Sequence, residues 1–368
     1  MKIFYLSESP FPSPAANTVQ VMQMCSAMAH AGHSVTLVCR QPDDAELNRL
    51  DPFSYYALPP TFHIVRRRFL PVRGRKSLWA VGAALRARLS GAELVYGRSV
   101  RGCYYASRFG LPVVYEAHKP LNAADPGEME RGRQLFGSNE LLRVVVLSQK
   151  LAAKFIDQYN IDPQRIRVVY NGADDPGGPT PMPLTPASNG SLRIGYAGSL
   201  YPGKGVELIA AIAADCPWAH FFVAGGSSTE VHSCRQSILA DNVTFLGNLA
   251  HTQLPAFRAA MDVLLVPPKA QVRVSGGGTI DQADAPPLKL FEALAAGKAI
   301  VCSDYLAEVV KDGLHAVLRD PEHSDQWVSA LRRLSENPAE RVSLGRQAHE
   351  LYQRDYSWKS RAEKVLAP

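Results

Sequence analysis

Residues 192–226 read LRIGYAGSLYPGKGVELIAAIAADCPWAHFFVAGG, and their order decides the fold. The apolar segment LRIGYAGS leads into a Gly-rich loop, VELIAAIAA carries a helical period, and HFFVAGG returns as a second apolar strand. The chain opens with the same order: KIFYLSES (2–9), a Pro-rich loop, an amphipathic helix, then SVTLVCR (34–40). In that helix Val21/Met22, Cys25 and Met28/Ala29 share one face; Asn17 can cap its start, and Gly32 stands where a C-terminal cap belongs. VVYEA (113–117), RVVVLS (143–148) and DVLLVPP (262–268) are near-continuous apolar runs, as expected of parallel strands covered on both faces. The expected fold class is α/β, with two doubly wound Rossmann-like domains facing across a cleft. Ligands of such sheets lie beyond the carboxyl ends of the strands.

Working outward, residues 173–190 (ADDPGGPTPMPLTPASNG) hold five Pro and three Gly and are expected to be a linker. The expected division is 1–172 for the N-terminal domain and 191–351 for the C-terminal one. A last helix, about 352–368, is expected to pack back on the first domain. The 368 residues suit two cores, and 46% apolar with 20% charged residues excludes disordered and collagen-like chains. No apolar run reaches the ~18–20 residues of a membrane span. MKIFYLSES lacks the signal-peptide pattern, so a cytoplasmic chain is expected. Six scattered cysteines without a CxxC fit reduced thiols rather than a disulfide framework or a zinc site. The net charge of +6 sits at one end: residues 1–100 hold 12 Lys+Arg against 6 Asp+Glu, and the remainder balances.

Two segments carry chemistry. Gly198-Ser-Leu-Tyr-Pro-Gly203-Lys204-Gly205 nearly spells the Walker A pattern, but Gly205 offers no hydroxyl for Mg²⁺ and no Walker B strand follows. What remains is close backbone approach, a helix N-terminus that favours an anion, and the point charge of Lys204. An ordinary strand–helix turn with a surface lysine is the plainer alternative. No GxGxxG is present, which argues against a dinucleotide enzyme. In DAPPLKLFEALAAGKAIVCSD (284–304), Pro286 and Pro287 fit only a first helical turn, and the helix ends near Gly297. Glu292 stands among Leu290, Phe291 and Leu294, where burial without a partner is costly. A sugar diol can donate twice to it; otherwise it faces solvent.

The 284–304 segment resembles the acidic-x7-acidic segment of glycosyltransferase family 4, retaining enzymes of the GT-B fold. The resemblance implies that Glu292 holds the ribose hydroxyls of a nucleotide sugar and that Asp284 lies near the transferred sugar. Asp284 replaces the usual Glu. GYAGSLYPGKGVELI is similar to the donor-diphosphate loop, with Gly198, Ser199 and Lys204 as contacts. Ser199 stands where an Arg is common, and Arg273 or Arg98 can replace that cation. NVTFLGNLAHTQLPAF, with Asn248, resembles the nucleobase border. VVYNGADD, AHAGHSVTLVCR, AEVVKDGLHAVLRDP and YSWKSRAEKVL extend the resemblance over most of the chain. By the same resemblance, His118 after VVYEA lies beside the transferred sugar; taken alone it reads as structural. Asn17, Thr18 and Arg98 are the expected acceptor contacts, with helix capping as the alternative for Asn17. Lys204 and the Leu288 and Lys289 amides are expected to stabilise the leaving diphosphate, without cofactor or metal; there is no Asp-x-Asp.

The implied reaction moves a sugar, with retention, from a nucleotide diphosphate (UDP favoured by family frequency) to a carbohydrate or lipid-linked acceptor, in polysaccharide or glycolipid synthesis. An epimerase or an inactive nucleotide-sugar-binding subunit is the alternative. The Gly-rich stretch 270–283 is expected to be a mobile loop that orders on donor binding. Finally, 66–90 (RRRFLPVRGRKSLWAVGAALRARLS) mixes cations with Phe69, Leu70, Leu78 and Trp79. An anionic membrane surface reached through Arg66–Lys76 is the expected partner, with a solvated basic arm or an anionic acceptor as alternatives. No motif points to nucleic acid.

Overall fold

The computed structural model describes residues 1–185, 190–238, 240–273, 279–281 and 284–367. The chain divides into two units, Met1–Asn171 with Trp358–Pro368, and Gly172–Ser357.

Unit 1 holds strands β1 (Lys2–Pro10), β2 (Ser34–Arg40), β3 (His63–Arg67), β4 (Leu94–Gly97), β5 (Val113–Ala117), β6 (Leu141–Val146) and β7 (Ile166–Val168). They form one parallel sheet in the order β3-β2-β1-β4-β5-β6-β7. Every residue of β4 and β5 is buried, which is why those segments read as unbroken apolar runs. The helix Ala16–His30 runs along one face of this unit, with Val21, Met22, Cys25 and Met28 fully buried. Its cap is Ala15 rather than Asn17. Asn17 lies inside the first turn and sends its side-chain amide to Ser9 Oγ at 2.7 Å. The C-terminal helix Trp358–Leu366 buries Ala362 and Val365 in the same unit.

Unit 2 holds β8 (Leu192–Ala197), β9 (Ala219–Ala224), β10 (Val243–Gly247), β11 (Val263–Val266), β12 (Gln271–Arg273), β13 (Thr279–Asp281), β14 (Ala299–Ser303) and β15 (Val317–Arg319). The main sheet runs β10-β9-β8-β11-β14-β15, and β12 with β13 makes a separate antiparallel pair. Each main sheet therefore reverses strand order beside its first strand, the Rossmann-like doubly wound arrangement. That reversal opens a crevice at the strand ends. Each unit has its own apolar core, built around Tyr115, Phe136 and Phe155 in one and Ile209, Phe221 and Trp327 in the other.

Two expectations change, and a third falls partly outside the described residues. The last segment joins unit 1 from Trp358, not from about 352, because Tyr352 and Tyr356 are buried within unit 2. The Pro-rich 173–190 stretch is anchored at points along its length: Ala173 bridges to Ser357, and the Met182 amide donates to Ala256 at 2.9 Å. In the Gly-rich stretch the described flanks pair as strands, Gln271 with Asp281 and Arg273 with Thr279. Residues 274–278, 282 and 283 lie outside the described residues. No helix among the described residues is long and apolar enough to cross a membrane.

The loops after β8, β9 and β10 are locked together by backbone. Gly198 donates to Ala224 at 2.9 Å, and Gly225 donates to Gly247 at 2.7 Å. Gly225 has φ +136°, and a Cβ there would stand 1.9 Å from the Gly198 carbonyl oxygen. Gly225→Ala is expected to cost at least about 1–3 kcal/mol, since both the φ strain and the backbone clash must be relieved. Urea denaturation of the variant checks this; an unchanged midpoint overturns it.

Candidate active site

In unit 1 the polar residues gather at the carboxyl ends of β1, β4 and β5. Glu116, near the end of β5, is fully enclosed and receives four donors. Gln20 Nε2 reaches Oε1 at 2.8 Å and Arg361 Nη2 reaches Oε1 at 2.9 Å. The Tyr96 hydroxyl and His118 Nε2 bond it as well. Arg361 is itself fully buried, with Nε on the Tyr170 carbonyl at 2.9 Å. Burial by itself disfavours the Glu116 charge. Arg361, His118 and Arg98 more than offset it and hold the carboxyl well below the usual carboxylate range.

His118 is 18% exposed at this end of the sheet. Burial, then the nearby Arg98 charge, pushes it down to about 4, against the opposing pull of Glu116. The ring is therefore neutral at neutral pH. An ionised Glu116 accepts the Nε2 proton, so Nδ1 carries the free lone pair. Arg98 Nη1 binds Gln20 Oε1 at 2.7 Å and the Asn17 carbonyl at 3.3 Å. Asn17, Arg98 and His118 thus belong to one connected cluster. Thr18 does not present its hydroxyl outward: it is buried, bonds the Ala15 and Ser13 carbonyls at 2.7 and 2.9 Å, and accepts from the Tyr56 hydroxyl. Its part is to hold the loop. Gln20, Tyr96 and Arg361 were not singled out by sequence. Gln20 gave a faint signal as a polar residue on an apolar helix face; Arg361 gave none.

In unit 2 the Gly198–Gly205 loop wraps the end of β8. The Tyr196 hydroxyl meets the carbonyls of Ser199 at 2.8 Å and Lys204 at 3.1 Å. Lys289, in the first turn of the helix Leu288–Ala295, sends Nζ to the Lys204 carbonyl at 2.9 Å and lies 4.5 Å from the Tyr196 ring centroid. Burial, and then the charge of Lys204, pushes Lys289 down to about 7; Glu207 and Glu292 pull the other way. Burial lowers Lys204 too. Two crowded ammonium groups at a strand-end loop are short of negative charge. Among the described residues neither has a carboxylate partner. Two of the loop amides are already engaged within the segment. Glu207 accepts from Gly203 at 2.8 Å and Gly205 at 3.3 Å, and the following helix has only seven residues.

Glu292, one turn after Lys289, pairs with Arg258. Its side chain is 26% exposed. Asp284 is buried in the turn before the helix, its amide on the Asp281 carbonyl at 3.1 Å. Leu288 and Lys289 begin the helix after the Pro287 cap, where amides lack intrahelical acceptors. Ser199 is exposed on the loop. Asn248 is exposed too, at the edge of a cavity of about 560 Å³ lined by Gly226, Ser227, Phe245 and Gly247. Among the described residues no cluster of His, Cys, Asp and Glu has the arrangement of a metal site.

Residues 18–175 match the family model described as Glycosyltransferase Family 4, and residues 191–337 match Glycosyl transferases group 1. The chain is 27% identical over 287 residues to the D-inositol 3-phosphate glycosyltransferase of Mycobacterium tuberculosis (strain ATCC 25618 / H37Rv). That stretch is 71% of this chain and 57% of the relative, so the chain spans little more than half the length of the curated relatives it matches. Among solved structures, Anabaena Alr3699/HepE in complex with UDP superposes with a TM-score of 0.73 at 18% identity, covering 99% of this chain and 98% of that one. The sucrose-phosphate synthase of Thermosynechococcus elongatus gives 0.71 at 17%, covering 99% and 97%. With one model matched in each Rossmann-like unit, the chain belongs to the GT-B glycosyltransferases of family 4, described for its second unit as glycosyl transferases group 1.

Proposed function

We propose that this chain transfers a sugar, with retention at the anomeric carbon, from a nucleoside diphosphate sugar, UDP-linked, to the hydroxyl of a carbohydrate or lipid-linked acceptor. The observation that carries the reading is the Lys204–Lys289 pair: two desolvated lysines beside a strand-end loop, with the partly exposed Glu292 side chain a turn further on. A diphosphate supplies the missing negative charge, and a ribose diol supplies donors to Glu292. As the sugar–phosphate bond breaks, charge grows on the leaving diphosphate, where preorganised ammonium groups act most strongly. Lys289 takes the place of the arginine that Ser199 lacks. The reading asks no metal for that charge. Asp284 is assigned to the transferred sugar. His118, neutral and with Nδ1 free, is suited to accept a hydrogen bond from a substrate hydroxyl. Asn17 and Arg98 are assigned to the acceptor.

The relatives support the reading: a D-inositol 3-phosphate glycosyltransferase by sequence, and solved structures in complex with UDP and with UDP-glucose by fold. The test is incubation of the protein with a panel of nucleotide sugars, with released nucleoside diphosphate and donor loss followed separately. Release in the presence of acceptor supports transfer. Interconversion of donors without release would establish an epimerase, and binding without turnover an inactive subunit; either overturns the proposal. Glu292→Ala is expected to weaken UDP-sugar binding about tenfold to a hundredfold, the loss of one or two hydrogen bonds to a charged group. Unchanged affinity by calorimetry removes Glu292 from the site.

A further inference from the structure

We infer that unit 2 carries a second anion site, for a small phosphate ester of sugar-phosphate size, at the end of its sheet opposite the Lys204 loop. The site is a cavity of about 990 Å³ whose lining belongs wholly to unit 2. Met261 and Asp262, which precede β11, line it, and so do Lys298 and Ala299, which lead into β14. The Gly198–Gly205 loop follows the carboxyl end of β8, and β8, β11 and β14 run parallel. The cavity therefore lies a strand length from that loop, roughly 16 Å for the five residues of β14. None of its residues belongs to the proposed donor site.

Close backbone packing brings three cations to this cavity. The helix Pro338–Leu351 lies against the turn that ends the helix Leu288–Ala295. A Cβ on Gly345 would collide with the Gly297 carbonyl oxygen and stand 3.2 Å from the Lys298 carbonyl carbon, so only a glycine allows the approach. Arg341, four residues before Gly345, and Arg346, the residue after it, fall on either side of that contact by helical spacing. Lys298, Arg341 and Arg346 all line the cavity. Arg341 is steadied by the carbonyls of Leu334 and Ser335 through Nη1, which leaves its remaining N–H groups without an acceptor among the described residues. Neither Arg341 nor Lys298 forms an ion pair among the described residues. Arg346 meets Glu350 only at 3.6 Å, with both side chains well exposed. Burial lowers Lys298, and the charge of Asp262 opposes that. The two carboxylates of the lining are tied to backbone: Asp262 accepts from the Arg193 amide at 2.8 Å, and Asp175 from the Gly177 amide at 2.9 Å.

Two guanidinium groups and an ammonium short of anionic partners suit a phosphate, whose several oxygens can accept from all three. The room exceeds what a bare phosphate fills and falls in the range of small-molecule sites. The rest of the lining includes Pro176, Pro179, Pro255 and Met261, apolar surfaces on which the C–H faces of a sugar ring can rest. A neutral sugar would leave the cations unused. A nucleotide calls for a ring to stack its base on, and no Phe, Tyr or Trp lines the cavity among the described residues. A phosphorylated sugar answers both parts of the lining.

The test is calorimetry of the full chain with glucose 6-phosphate, inorganic phosphate and glucose. Glucose 6-phosphate is expected to bind more tightly than inorganic phosphate, and glucose not at all. Lys298→Met/Arg346→Met is expected to weaken glucose 6-phosphate at least about tenfold, the loss of charge-assisted contacts. Lys204→Met/Lys289→Met is expected to leave that affinity unchanged, which separates this cavity from the proposed donor site whatever the donor proves to be. Arg346→Glu changes an exposed side chain and is expected to melt like the parent, so it keeps the test open should the double variant fail to fold; it too is expected to weaken binding at least about tenfold. No binding of glucose 6-phosphate, parent-like binding by Arg346→Glu, or loss of binding in Lys204→Met/Lys289→Met each overturns the inference. Equal affinity for inorganic phosphate overturns the assignment to an ester.

Discussion

Arg361→Met is expected to destabilise the protein by about 3–5 kcal/mol, because it strands the Glu116 carboxylate in a dry interior. Both side chains are fully buried, and Glu116 relies on Arg361 for the largest opposing charge. A paired change, Arg361→Met with Glu116→Leu, is expected to recover a large part of the loss, since no unpaired charge remains. Chemical denaturation of the two variants checks this. Equal loss in both would mean that Arg361 acts through packing alone. The pH dependence has a definite sign. His118 has a folded value near 4, below its ordinary 6.5, so the unfolded chain binds its proton first as the pH drops. Stability therefore declines from about pH 6.5 towards pH 4, by at most about 1.4 kcal/mol per pH unit for one proton. Glu116, depressed in the folded state, adds a further loss that begins as the pH falls through the ordinary carboxylate range and continues below it. His118→Asn is expected to flatten the decline between pH 6.5 and 4 and to leave the more acidic one.

The second large effect concerns Lys289. Lys289→Met is expected to weaken UDP binding about tenfold to a hundredfold, the value of a charge-assisted contact. The same change is expected to raise the melting temperature of the ligand-free protein. In the folded state Lys289 titrates near 7 rather than 10.5, so at neutral pH its charged form is a cost that an apolar side chain of similar length removes. A loss of binding with a gain of stability separates a functional cation from a structural one. The parent supplies a second signature. Bound diphosphate favours the ammonium, so above pH 7 binding must take up a proton and affinity falls, by up to about tenfold per pH unit. Lys289→Met is expected to abolish that dependence. Calorimetry of UDP binding from pH 6.5 to 9 decides it, and a variant with the parent's pH profile overturns the role.

The sequence by itself determined the class of fold. Burial on both faces writes β5 and β11 as apolar runs, and a helix covering one face writes a 3.6-residue period. Both signals are local, so the strand–helix alternation and the two halves were legible before any coordinates. The segments that carry Lys204, Asp284 and Glu292 were legible for the same reason: Gly and Pro punctuate them, and a lone carboxylate interrupts an apolar helix. Only the tertiary structure decided the pairings across the chain. Glu116 and Arg361 are separated by 245 residues, and Lys289 meets the Lys204 carbonyl across 85. Nothing in the local pattern around Arg361 distinguishes it from the other cations of a charged terminal helix. Its role appears only when that helix packs on unit 1 and encloses a carboxylate at a strand end. Lys289 likewise reads as an amide donor in sequence and becomes a cation beside Lys204 once strand order brings its helix to the β8 loop. Side-chain direction across neighbouring strands and helices, which no one-dimensional period encodes, is the physical reason.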